Sequence, residues 1–247
     1  MKSKIVHIFG LVFILLLGGC VTIYNPATGQ KEYYFINEKT EIMLGRNIAQ
    51  DIIRTNKAYN DEKALSMVQN MGEKIGKSSH RNKLKYHFYI LDEDTMNAFA
   101  LPGGYIFVNK GLIDKTTKDE LAFVLAHEIG HITARHSLKR LQASLGMSLL
   151  FDIALGRAGD ADVRQVVNIA YGVIASGYSR KDELLADSLA VRYSYAAGHN
   201  PGAAISLFNK MKEESREGYT PIFLRSHPII ADRIANVKEK IMVLDQP

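Results

Sequence analysis

The chain has 247 residues, enough for one well-packed domain with peripheral helices, and at 47% hydrophobic and 23% charged it does not have the composition of a disordered protein. Its formal charge is +5, but Lys2 and Lys4 belong to an N-terminal leader and the other Lys and Arg are scattered among acids. No basic stripe interleaved with aromatics is present, which argues against a nucleic-acid partner.

In the leader, Lys2 and Lys4 precede an apolar run from Ile5 to Leu17. That run is short for a bilayer span and fits the apolar core of a secretory signal. The ending Leu17-Gly18-Gly19-Cys20 resembles a lipobox, where bacterial lipoproteins are cleaved and acylated. Residues 1–19 are therefore expected to be a lipoprotein signal peptide and Cys20 the lipidated residue, attaching the protein to a membrane. The competing readings are an ordinary signal with a chance Cys and an uncleaved anchor. Val21, rather than Asp, after Cys20 favours outer-membrane sorting. Cys20 is the only Cys, so the mature domain has no disulfide and no thiol for catalysis or metal binding.

Residues 20–36 read as a tether with a turn at Asn25-Pro26-Ala27-Thr28-Gly29 and a short strand over 32–36. A single domain follows over 37–247, with N-terminal helices over 37–80 and a catalytic core over 81–247. Asn37 caps a predicted helix to about Arg54, and a second helix runs from about Asp61 to Ile75. Leu84, Tyr86, Phe88 and Ile90 alternate as in a half-buried strand. Residues 96–100 and 105–108 flank Pro102-Gly103-Gly104 and predict a hairpin. Thr117 with Glu120 forms a capping box that opens a helix to about Leu141. Two apolar stretches, 145–155 and 166–176, predict a helical hairpin that packs on the domain or dips toward a membrane surface. Helices capped by Ser179 and begun near Pro201 and Pro228 complete the chain. The expected class is mainly α with a small antiparallel sheet (α+β).

His127 and His131 lie four apart on the capped helix, so both imidazoles share a face and can bind one Zn2+. Glu128 projects toward the same cavity as a general base. Gly130 in mid-helix suggests that something packs closely there. His136, about 140° around a straight helix from His131, faces elsewhere. Ala134 and Ser137 stand where the metzincin pattern requires Gly three and His six positions after His131, which excludes that subfamily. Glu183, early on the helix capped by Ser179, is the better third ligand. Asp187, one turn on, is placed to accept the free N–H of a ligand His. Two His, one Glu and an open position describe a catalytic site rather than a structural one.

The set His127-Glu128-Ile129-Gly130-His131, Glu183-Leu184-Leu185-Ala186-Asp187 and Ser226-His227-Pro228 resembles the gluzincin family of HtpX and the CAAX prenyl proteases, with a zincin-like fold. The segment Asn97-Ala98-Phe99-Ala100 before Leu101-Pro102-Gly103-Gly104 looks like that family's substrate-edge strand. Asn25-Pro26-Ala27-Thr28-Gly29 after a lipidated Cys is similar to its soluble, LoiP-like periplasmic lipoprotein branch. The resemblance implies zinc on His127, His131 and Glu183, Glu128 as general base, and His227 and Arg233 over the site.

The expected function is a zinc-dependent endopeptidase of the periplasmic face that cleaves unfolded or misassembled envelope proteins. His227 has two readings, stabilising the transition state or holding the fourth zinc position in a latent enzyme, besides that of a plain helix cap. The alternatives are a peptide-binding chaperone or envelope-assembly factor with a structural or latent zinc, and a cell-wall amidase.

Overall fold

A computed structural model describes residues 21–154, 156–215, 222–228 and 230–244; the leader and Cys20 lie outside them. The chain opens on a hairpin in which β1 (Val21–Asn25) pairs antiparallel with β2 (Gln30–Tyr34). The expected tether is thus folded from residue 21 onward. Gly29, at φ 68°, supplies the left-handed backbone of the turn. Tyr34 and Ile36 are fully buried, and Lys139 Nζ meets the Glu32 carboxylate at 2.6 Å, so the hairpin is fastened to the domain.

Helix α1 (Glu38–Thr55) is capped by Asn37, whose side chain accepts from Thr40 N, and α2 (Glu62–Lys77) by Asp61. Strands β3 (His87–Leu91), β4 (Ala98–Leu101) and β5 (Tyr105–Asn109) form a sheet in the order β3-β5-β4. The β4–β5 hairpin is antiparallel, as Pro102-Gly103-Gly104 predicts. A Cβ on Gly103 would lie 2.6 Å from Ile42 Cα, so only Gly lets this turn rest on α1, where Gly103 N donates to Glu41 Oε1. The strand β3 joins β5 in parallel, so the small sheet is mixed rather than wholly antiparallel. Alternation in the sequence marks a half-buried strand but carries no information on its neighbour's direction. Strand β5 is buried on both faces, as a central strand should be.

After the short α3 (Lys110–Lys115), α4 (Lys118–Thr133) runs through the centre, buried from Glu120 to Thr133. The single helix expected to reach Leu141 is in fact two. Arg135 adopts φ 56°, the one positive φ at a non-glycine among the described residues, and α5 (His136–Ser144) leaves in a new direction. Helices α6 (Met147–Ala154) and α7 (Asp160–Ala175) fall in the two expected apolar stretches and bury Leu149, Leu150, Ile153, Val166, Val167 and Ala170, with α7 packed on α5 and α1. Then come α8 (Arg180–Ala196), α9 (Ala203–Ser215), α10 (Ile222–Ser226) and α11 (Ile230–Leu244). The architecture is α+β, with helices on both faces of the sheet. Phe88, Ile90, Ala98, Ala100, Ile106 and Val108 belong to the core around α4, whereas Leu101, Tyr105 and Phe107 belong to a second core with α1, α5, α6 and α7. Among the described residues, no helix is long and apolar enough to cross a membrane.

Candidate metal centre

The register of α4 is set at its start. Thr117 Oγ1 accepts from Glu120 N while Thr117 N donates to the Glu120 carboxylate at 2.8 Å, the reciprocal box predicted. Ten and fourteen residues beyond Thr117, His127 and His131 stand on one face of α4, their Nε2 atoms 3.0 Å apart. Helix α8 crosses close by because Gly130 has no side chain: a Cβ there would lie 3.0 Å from Ala186 O. Ser179 caps α8, and Glu183 in its first turn reaches between the imidazoles. Its carboxylate lies 3.5 Å from His127 Nε2 and 3.3 Å from His131 Nε2.

His227, in the link from α10 to α11, completes the group. Its Nδ1 is 2.9 Å from Glu183 Oε1 and 3.2 Å from His127 Nε2. One ligand atom from each of the four lies within 4.8 Å of the others. Three imidazoles and a carboxylate presenting lone pairs to one another repel unless a proton or cation lies between them. The nitrogen and oxygen donor set is the kind zinc takes. These residues fit a single divalent zinc ion.

Glu128 stands beside this group with neither carboxylate oxygen hydrogen-bonded; His227 Nε2 lies 3.5 Å from Oε1. Burial raises its carboxyl above the ordinary range. Burial also acts on Glu183, but His227, Arg233 and His127 outweigh it and hold that carboxylate well below its usual value.

The two helix imidazoles are held from behind by different partners. His127 Nδ1 faces Asp187 Oδ1 at 2.9 Å. Asp187 is gripped by the Arg233 guanidinium at 2.7 and 2.8 Å. Arg233 also meets Glu183 Oε2 at 3.0 Å and His227 O at 3.2 Å. Burial and the Arg233 charge lower His127, yet Glu183 and Asp187 hold it at about 9. His131 Nδ1 faces His136 Nδ1 at 2.9 Å, and His136 Nε2 lies 3.3 Å from Asp182 Oδ1. Burial drives His131 well below its usual value and His136 to about 4, so both are neutral. His136 does not ligate, but it does not face elsewhere either: the break at Arg135 turns it back onto His131.

The spacing did not point to Tyr178 either. Its ring stacks on His131 with centroids 3.8 Å apart, and its hydroxyl meets Ser137 Oγ at 2.8 Å. Ser137 Oγ donates to Ala100 O at 2.9 Å, tying α5 to strand β4. Asn97 O accepts from Asn109 N, so the alternation of the ladder turns the backbone groups of Ala98 and Ala100 to the outer edge of the sheet. Of these, the Ala100 carbonyl is taken by Ser137. Asn97 Oδ1 is buried without a hydrogen bond, and Phe99 stacks on Phe107 at 5.1 Å. His127, Glu128, His131, Glu183, Asp187, His227 and Arg233 are each at most 1% exposed, so the site is shut.

The chain matches the family model of Peptidase family M48 over residues 62–241. It is 24% identical to the beta-barrel assembly-enhancing protease of Escherichia coli (strain K12), over 81% of this chain and 43% of that one. To the mitochondrial metalloendopeptidase OMA1 of Schizosaccharomyces pombe it is 31% identical, over 65% of this chain and 48% of that one. To the metalloprotease LoiP of Escherichia coli (strain K12) it is 26% identical, over 68% of this chain and 66% of that one. The chain spans less than half the length of the first two. The matched span contains the whole His, Glu and Arg cluster, and the chain belongs to peptidase family M48, a family of zinc metallopeptidases.

Proposed function

We propose that the protein is a zinc-dependent endopeptidase acting on unfolded or misassembled polypeptides of the cell envelope. The observation that carries this reading is the convergence of His127, His131 and Glu183 beside the unpartnered Glu128 carboxylate. His127, His131 and Glu183 would hold the zinc, which would supply Lewis acidity and lower the pKa of a water molecule to ~7. Glu128 then takes the proton from the attacking water and passes it to the leaving amine. Burial raises its pKa, the direction that favours taking up a proton. Asp187, locked by Arg233, fixes the tautomer and orientation of His127. Arg233 bonds Asp187, Glu183, His127 and His227 and lies over the rings of Phe208 and Phe223, which favours a holding role over contact with substrate. An extended substrate pairs with the outer edge of β4 at Ala98, with Asn97, Phe99 and Ala100 flanking it.

A casein digest with zinc content measured in parallel tests the assignment. The variant E128Q should keep one zinc per chain and lose about 10²–10⁴-fold in rate. Cleavage by zinc-loaded E128Q at the wild-type rate sinks the role given to Glu128.

A second reading concerns latency, and one contact favours it: His227 Nδ1 sits within 3.2 Å of both Glu183 Oε1 and His127 Nε2, in the corner a substrate needs. On this reading H227A digests casein faster than wild type, whereas a catalytic His227 makes it slower. An assembly factor with a structural zinc would suppress casein aggregation and cut nothing in either form.

The leader and the lipobox support an envelope location, on the periplasmic face and lipid-anchored through Cys20, with the outer membrane as its destination. The beta-barrel assembly named for one relative supports partners in envelope assembly.

A further inference from the structure

Helix α1 carries a stripe that its own packing does not use. Its buried face is Glu41, Leu44, Ile48, Ala49 and Ile52. Lys39, Ile42, Met43 and Arg46 follow the steps i, i+3, i+4, i+7 and so share another face. With Ile153 of α6 and Gly156 beyond it they line a cavity of about 560 Å³, within the range of ligand pockets. The two cations stand about 10 Å apart along the helix axis, with apolar surface between them. Among the described residues no acid lines the space.

The charge is uncompensated for a local reason. Glu38 and Glu41, the acids in the first turn of α1, are both turned to Arg81 and Arg135. Neither Lys39 nor Arg46 has an ion pair among the described residues, and Arg46 Nε donates only to the Tyr105 hydroxyl, at 3.5 Å. The field stays positive beyond Arg46: burial, Lys85 and Arg46 all lower the pKa of His87. Met43 is 43% exposed, so an apolar side chain meets water between two free cations. That combination suits an amphiphile with an anionic head. Lys and Arg lay their stems along apolar surface and hold their charges at the level of a phosphate.

The course of the chain favours a lipid over a polypeptide. Val21 pairs with Tyr34 at the open end of the β1–β2 hairpin. Lys39 follows Tyr34 by five residues, a span of at most roughly 18 Å. Residues 1–20, with the apolar run Ile5 to Leu17, join the domain at that same end. A lipid on Cys20 and an anchor left in place would each set a bilayer against it. The outward face of the hairpin adds the exposed Tyr24, Lys31 and Tyr33, and Tyr is enriched at the headgroup layer. We propose that the stripe from Lys39 to Arg46 is a binding site for an anionic phospholipid, with the phosphate between the two cations and an acyl chain along Ile42, Met43 and Ile153. The site shares no residue with the metal centre, and the inference does not rest on the peptidase reading.

The chain has no Trp, so M43W places a single fluorophore in the stripe. The full chain in neutral detergent micelles is titrated with phosphatidylglycerol and with phosphatidylcholine, both carrying brominated acyl chains that quench Trp on contact. Phosphatidylglycerol should reach half-quenching at about 25-fold lower concentration, from about 5-fold for each cation. K39Q and R46Q should each lose about 5-fold, and the double variant the whole preference. Native mass spectrometry of the chain with Met43 intact, counting bound copies of each lipid, reads the same comparison if M43W does not fold. Inorganic phosphate should leave the quenching in place; displacement by phosphate alone makes this a free-anion site and overturns the lipid assignment. Equal quenching by the two lipids, or a preference that survives the double variant, overturns the inference. So does tighter capture of an acidic, Phe-containing peptide, or a Trp signal that changes with protein concentration alone, which would give the face to a polypeptide or to a second copy. Casein cleavage is not the readout, so any of these failures leaves the peptidase reading standing.

Discussion

With Nε2 of His131 given to a metal, its proton must sit on Nδ1, and the contacts behind it run in one sense. His131 Nδ1–H donates to His136 Nδ1, and His136 Nε2–H donates to Asp182. His127 reaches the same end through Asp187. Partners of this kind are worth about 10–100-fold in metal affinity. H136F should therefore weaken zinc binding by that factor, and H136N, which returns an acceptor near the Nδ1 position, should recover part of it. Competition with a chromophoric chelator measures both, and melting of the metal-free proteins separates orientation from folding. Equal zinc affinity in all three would leave His136 a packing residue. The pairs His127–His131 and Glu183–Asp187, which the structure brings together, could be read from four-residue spacings. His136 could not, because Ala134-Arg135 contains neither Gly nor Pro, and nothing in the sequence announces left-handed backbone at an Arg. The structure holds that conformation by ion pairing to Glu41 and by stacking of the guanidinium on Tyr34.

At the level of elements, helix starts were the most legible features, since Asn37, Asp61, Thr117 and Ser179 each cap through a side-chain bond local in sequence. Helix ends and strand neighbours depend on distant packing and were not legible. The hairpin β1–β2 shows how a polar segment becomes an element. Its Glu32 carboxylate takes hydrogen bonds from Asn25, Thr28, Lys139 and Tyr34. Burial raises the pKa of Glu32, but Lys139, Tyr34 and Asn25 outweigh it and bring it below the ordinary value. A depressed carboxyl contributes stability that is present above its unfolded pKa of ~4.3 and lost as pH falls through the folded value. E32Q should therefore melt below wild type at pH 7, with the gap closing under about pH 4. A gap that stays constant down to pH 3 would show that the charge of Glu32 contributes nothing.

For the molecule as a whole, the α+β class was legible from helix periodicity and strand alternation, whereas the burial of α4 on all sides from Glu120 to Thr133 was not. The closure of the site was not legible, since it depends on where the short α10 and the His227 link settle against α4 and α8. The anchor is testable on the intact protein: C20S should leave the membrane fraction for the soluble one and lose incorporation of a palmitate analogue. Retention of both would dismiss a lipid at this position.

The hairpin sets a limit on reach. Strand β1 starts at Val21, the residue after Cys20, and Glu32 and Tyr34 bolt its partner strand to the domain. Were Cys20 to carry a lipid, the folded hairpin would leave little free chain between bilayer and domain, and chains emerging at that surface would be the ones within reach. Twenty Gly/Ser residues spliced between Cys20 and Val21 would pay out a leash of roughly 25 Å, and with it a wider catchment.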